Sequence, residues 1–177
     1  MKKRILTLLL ATTLVFSFAG CGGSDTEKKE DTKTESSKPA KKDEGKQKTG
    51  KVDKIALDNK EGTLTYVKHE VTKDYDGNPA IMIYFDYTNK QEEASSAQMT
   101  FYPQVFQNGV ECEMAMSLED NEALSNTSKD IQKGTTLNIA FIYNLQDTSK
   151  PVTLKVSDQS SENLLEDIEQ EQELALQ

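Results

Sequence analysis

The sequence predicts an all-β domain, an immunoglobulin-like β-sandwich of about seven strands, following a signal peptide and a disordered tether. Two observations carry this. From Val52 onward apolar residues recur with a period of two, which places them on one face of a strand. Turn chemistry separates these runs about every 8 to 12 residues, the rhythm of a sandwich.

Ile55 and Leu57 open the domain, and Leu64, Tyr66, His69 and Val71 follow as a strand ending at Asp74-Tyr75-Asp76-Gly77-Asn78-Pro79. Asp-Gly supports a tight turn there, and Pro79 suits the first position of the next strand. That strand, Ala80 to Asn89, sets Ile81, Ile83, Phe85 and Tyr87 on a core face and Ala80, Met82, Tyr84 and Asp86 on the other. Gln98 to Gln107 is the next, with Phe101 and Val105 facing one way, Tyr102 and Phe106 the other, and Pro103 marking an edge or bulge. Asn108-Gly109 is the strongest hairpin signal.

Beyond it Val110, Cys112, Met114 and Met116 alternate with Glu111 and Glu113, predicting a dry face that holds Cys112 inward. Ser117 to Lys129 has no apolar period and is expected to be a long acidic loop. Lys133-Gly134 turns into a strand with Leu137, Ile139, Phe141, Tyr143 and Leu145 on one side, and Val152, Leu154 and Val156 complete the set after Pro151. In the last segment Leu164, Leu165 and Ile168 stand at helical spacing among acids, with Ser160 or Ser161 able to cap. A frayed helix is expected there, with disorder or a partner-binding helix as alternatives.

The start of the chain has a different logic. Lys2, Lys3 and Arg4 precede an apolar stretch from Ile5 to Phe18, and about 14 residues are too few for a membrane span that needs about 20. The stretch ends at Phe18-Ala19-Gly20-Cys21, which resembles the lipobox of bacterial lipoprotein precursors, with Phe18 where that family more often has Leu. The resemblance implies cleavage between Gly20 and Cys21 and lipidation of the Cys21 thiol. Ser17-Phe18-Ala19 also fits the small-x-small rule of ordinary secretory cleavage, which would release a soluble chain beginning at Gly20. Between Gly22 and Lys51 the residues are charged, small or polar, so this segment cannot bury enough surface to offset chain entropy. The expected organisation is therefore a lipoprotein signal peptide over 1–20, lipidated Cys21 and a linker over 21–51, the sandwich over 52–158, and an acidic tail, possible as a helix, over 159–177.

Composition narrows the function. The 177 residues hold 21 Lys and Arg against 30 Asp and Glu, so nucleic acid is a poor partner and any charged partner should be basic. Two cysteines, one of them assigned to lipid, leave no intramolecular disulfide.

The strand pattern resembles a family of Gram-positive surface lipoproteins whose C-terminal part is an immunoglobulin-like domain of unknown function, domain of unknown function 5067. The residues that carry the likeness are Asn78-Pro79-Ala80, Tyr84-Phe85-Asp86-Tyr87-Thr88-Asn89, Val105-Phe106-Gln107-Asn108-Gly109-Val110-Glu111, Lys133-Gly134, Tyr143-Asn144-Leu145 and Pro151-Val152. The resemblance implies a sandwich on a lipidated tether and brings no active site with it.

Chemistry-bearing residues are sparse. His69 is the one histidine, which excludes a His-rich zinc site and means that a catalytic triad would have to use this one residue. Cys112 lies in a Met-rich alternating strand and is expected in the core. Asp74-Tyr75-Asp76-Gly77-Asn78 opens like a calcium loop, but Pro79 stands where an EF-hand needs glycine. Glu119, Asp120 and Glu122 are the weak metal candidates, and Asp86 with Glu111 the weak hydrolase pair. Asn126-Thr127-Ser128 is a formal sequon with no assigned role. Tyr75, Tyr84 and Tyr102 could form a binding patch.

The expectation is a non-enzymatic binding or adaptor module without a cofactor, held on the extracellular face of the plasma membrane by lipid on Cys21. Its ligand would be an unidentified extracellular protein or glycan. The alternative is an accessory or protective envelope lipoprotein, such as a secretion, exclusion or immunity factor.

Overall fold

The computed structural model describes residues 49–163 and 165–176. The signal peptide, Cys21 and the linker up to residue 48 lie outside the described residues. Nine strands are present among them: β1 (Gly50–Lys51), β2 (Ala56–Asp58), β3 (Gly62–Lys73), β4 (Pro79–Asn89), β5 (Phe101–Gln107), β6 (Val110–Glu111), β7 (Thr136–Asn144), β8 (Val152–Asp158) and β9 (Glu169–Leu174), with one short helix, α1 (Glu122–Asn126). They form two sheets, ordered β1-β9-β8-β5-β6 and β2-β3-β4-β7.

The sandwich core follows from the alternation. Ile81, Ile83, Phe85 and Tyr87 of β4 and Ile139, Phe141 and Tyr143 of β7 face Phe101 and Val105 of β5 and Val152, Leu154 and Val156 of β8 in one buried cluster. Phe85 meets Phe141 edge to face at 6.1 Å, and Tyr87 meets Phe101 at 6.3 Å, the arrangement that ring quadrupoles favour. Turns sit where their residues demand. Gly77, Gly109 and Gly134 all have positive φ, and Asn108 joins Gly109 in the left-handed region, which fits a two-residue hairpin between β5 and β6.

Gly62 has a different reason to be glycine. A Cβ there would stand 2.9 Å from the Thr88 carbonyl oxygen and 3.1 Å from the Tyr87 ring, so β3 and β4 start their pairing with no space for a side chain.

Several expectations need correction. The acidic C-terminal segment is not a frayed helix, because β9 pairs antiparallel with β8 from Glu169 to Leu174, and β1 adds in parallel on its other side. Gly50 and Lys51 therefore belong to the sheet, not the linker. Hydrogen bonding joins apolar burial in holding the C-terminal segment there. The Gln172 carboxamide accepts from the Ile55 N–H at 3.0 Å, and Gln170 accepts from the Ala56 N–H at 2.8 Å and donates to its carbonyl. Leu174 closes the core.

The strand expected from Gln98 begins at Phe101, after a 3₁₀ turn over Ala97–Met99. The loop expected over Ser117 to Lys129 contains α1, whose Asn121 cap accepts from the Ala123 and Leu124 N–H groups. This helix covers the outer face of the four-stranded sheet, burying Ala80, Met82, Tyr84, Ala140 and Ile142 in a second cluster. Both faces of β4 are thus packed, where the sequence marked one.

Candidate functional site

Past β6 the strand does not continue as one dry face. Only Cys112 turns inward, 6% exposed, whereas Val110, Met114 and Met116 are 57%, 62% and 74% exposed. The reason is a change of sheet. The Cys112 N–H still donates to Val105 of β5 at 2.7 Å, but the Ala115 N–H donates to Ile142 of β7 and the Glu113 carbonyl accepts from Asn144 of β7. Met114 bridges to Tyr143. The segment crosses from one sheet to the edge of the other and lifts both methionines into solvent.

A groove of about 350 Å³ lies along this crossing, lined by Tyr102, Pro103, Glu111, Cys112, Glu113, Met114 and Tyr143. Its floor is fixed by the Tyr143 hydroxyl, which donates to the Pro103 carbonyl at 2.7 Å. Burial pushes the Tyr143 phenol far above its ordinary range, so it stays a neutral donor. Pro103 has no N–H and its carbonyl is taken, so this stretch of β5 is blocked against an added strand. Recognition here has to use side chains. Tyr102 is 52% exposed on one wall, and Glu111, accepting from the Gln104 amide at 3.0 Å, is on the rim. Outside the groove Met116, Tyr75 and Leu118 are also exposed, and the Met116 carbonyl accepts from the Tyr75 N–H at 2.7 Å.

Of the three tyrosines singled out in the sequence, Tyr102 lines the groove, Tyr75 is joined to Met116 by its backbone, and Tyr84 does neither. Tyr84 is 6% exposed beneath α1, its hydroxyl donating to Glu70 at 2.6 Å and accepting from Asn121 at 2.9 Å. The methionines were missed as surface residues. Their strict alternation with glutamate fits a buried face, and only the switch between sheets reverses it.

The remaining candidates fall into structural roles. His69 donates from Nε2 to the Ala175 carbonyl at 2.8 Å, its Nδ1 is bonded to the Tyr66 hydroxyl at 2.6 Å, and it so ties β3 to the end of β9. The Cys112 thiol is pushed up by burial. Asp74 is consumed by its turn, accepting from the Asp76 and Asn78 N–H groups and the Asn78 amide, the last of which does most to hold its carboxyl low. Asp86 is on β4 and bonds Asn138, whereas Glu111 is on β6 in the other sheet. Glu119, Asp120 and Glu122 are not gathered into a ligand set: among the described residues no group of three or more His, Cys, Asp or Glu is placed to hold a metal ion. Asn126 of the formal sequon is buried and donates to the Asn138 carbonyl at 3.1 Å.

The family model described as a domain of unknown function, DUF5067, matches residues 25–158. The chain belongs to this family. The matched span stops at Asp158, ahead of β9. Among solved structures, a candidate lipoprotein of Staphylococcus aureus subsp. aureus superposes with a TM-score of 0.53 at 13% identity, over 68% of this chain and 88% of that one. A protein from Enterococcus faecalis, solved by NMR, superposes with a TM-score of 0.52 at 22% identity, again over 68% and 88%. At these identities the likeness is one of fold. No curated protein matches the chain.

Proposed function

We propose that this chain is a lipoprotein anchored by lipid on Cys21 at the outer face of the plasma membrane, and that its sandwich acts there as a non-enzymatic binding or adaptor module. The observation that carries the binding role is the groove lined by Tyr102 and Met114, with Met116, Leu118 and Tyr75 also exposed. Fully burying one such side chain is worth about 1.5–3 kcal/mol, and surfaces of this kind mark interaction sites. Methionine adapts its shape to a partner, and the rim glutamates, Glu111 and Glu113, favour one that brings an apolar segment with positive charge. The description of the Staphylococcus aureus neighbour as a candidate lipoprotein supports the anchor, together with the Ala19-Gly20-Cys21 junction.

The test places a photo-crosslinking residue in the full chain at Met114 and, as control, at Met99, which is 70% exposed but outside the groove. A defined adduct is expected from position 114 alone, and it should be lost when Glu111→Lys and Glu113→Lys are added. Labelled palmitate should enter the wild type and not Cys21→Ser. Equal adducts at both positions would overturn the binding surface, and a substrate turned over by the purified chain would overturn the class.

A further inference from the structure

The four-stranded sheet has an open edge. β2 pairs with β3 only from Thr63 to Thr65, and the Tyr66 N–H makes a last contact to the Ile55 carbonyl at 3.0 Å. From Lys68 to Lys73 the strand is paired to β4 on one side, with Val67 in the bulge just before it, and among the described residues it has no main-chain partner on the other side. Such an edge is a template for another strand. Val67 and Val71 are 41% and 40% exposed on it.

The sequence of this edge, Val67-Lys68-His69-Glu70-Val71, is complementary to itself when reversed. Set antiparallel to a second copy with His69 opposite His69, Val67 meets Val71, Lys68 meets Glu70, and the same two pairs repeat across the two-fold axis. Lys68 and Glu70 share the outer face, where the Lys68 ammonium lies 4.4 Å from the Tyr84 ring centre and Glu70 accepts from the Tyr84 hydroxyl. Each would meet its opposite charge on the same face of the joined sheet. Other registers lose this. Centring on Glu70 puts two glutamates opposite each other, and centring on Lys68 puts two lysines there. The bulge between Tyr66 and Lys68 and these charges discourage indiscriminate pairing, yet they leave one register in which Lys68 and Glu70 are both matched.

We propose that two copies of this chain associate through their β3 edges, antiparallel and centred on His69, to form a continuous sheet across a two-fold axis. The partner is a second copy because the edge complements its own sequence and an isologous contact uses one patch twice. This surface is separate from the groove beside Met114 and does not depend on its role.

The experiment uses the full chain expressed in a Gram-positive host, with mild oxidation of whole cells and non-reducing electrophoresis. A chain with both Val67→Cys and Val71→Cys places each new thiol opposite one on the partner and should give a covalent dimer. Val71→Cys alone leaves its two copies about 14 Å apart along the strand, beyond disulfide reach, and should not. Adding Lys68→Glu to the double-cysteine chain should reduce the dimer to the single-cysteine level, and adding Glu70→Lys as well should restore it. Lys68 and Glu70 also bond each other within one chain at 3.2 Å, so the urea midpoint of each variant is measured alongside. Loss and restoration of the dimer at an unchanged midpoint show pairing across the axis, whereas a dimer yield that only follows the midpoint would overturn it. Equal cross-linking of single- and double-cysteine chains, no covalent dimer at all, or a dimer indifferent to Lys68→Glu would each overturn the proposal.

Discussion

Removing the C-terminal strand should unfold the domain, although the segment is mostly glutamate and glutamine. Leu174 is 2% exposed in the core, and truncating a buried leucine to alanine costs about 2–5 kcal/mol. Gln172 supplies the acceptor for the Ile55 N–H, and stranding a buried donor costs about 1–3 kcal/mol. Together these reach about 3–8 kcal/mol, against a total stability of about 5–15 kcal/mol for a domain. Loss of the main-chain ladder between β9 and β8 comes on top. Deleting residues 169–177 should therefore abolish the cooperative urea transition of the mature chain. Leu174→Ala should lower its stability by the amount above, and Gln172→Ala by less. Leu165→Ala is the control, since that side chain is 99% exposed and should change stability by no more than about 0.5 kcal/mol. Tyrosine fluorescence can follow the transition, because the chain has 6 Tyr and no Trp. If the deletion keeps the wild-type midpoint, or if Leu165→Ala costs as much as Leu174→Ala, the placement of this segment in the sheet is wrong.

Three further outcomes are expected. Gly62→Ala forces a methyl against the Thr88 carbonyl and should cost about 1–3 kcal/mol in the same urea assay. Asn121→Ala removes the cap of α1 and the amide bonded to the Tyr84 hydroxyl; a loss of about 1 kcal/mol is expected from the cap, with faster hydrogen exchange at Ala123 and Leu124. Cys112 should react slowly with a maleimide in the native chain and quickly in denaturant. Its thiol is buried and its pKa raised, so the thiolate that reacts is scarce near neutral pH and grows only as pH climbs toward that raised value.

The candidate surface was half legible. Tyr102 and Tyr75 could be marked from their positions beside turns and on outward faces. Met114 and Met116 could not, because a methionine alternating with glutamate on a strand has the pattern of a core residue. The distinction depends on whether the strand keeps its partner, and at Cys112 the chain leaves β5 for β7. Likewise Tyr84 lies on the face the alternation makes outward, and it is buried only because α1 folds over it.

What the sequence determined by itself was local: which residues alternate, where Asn108-Gly109 and Gly134 must turn, and hence an all-β sandwich with Phe85, Phe141 and Leu154 between its sheets. Those features depend on period-two geometry and single-residue φ preferences, which neighbours in the chain dictate. Tertiary structure decided the rest. Glu169-Gln170-Glu171-Gln172-Glu173-Leu174 does alternate, but in glutamate and glutamine, and a glutamine becomes an inward residue only when distant main-chain groups, here Ile55 and Ala56, stand ready to bond its amide. Burial of apolar area can be read from composition. A hydrogen bond between residues 117 positions apart exists only once the fold has brought them together.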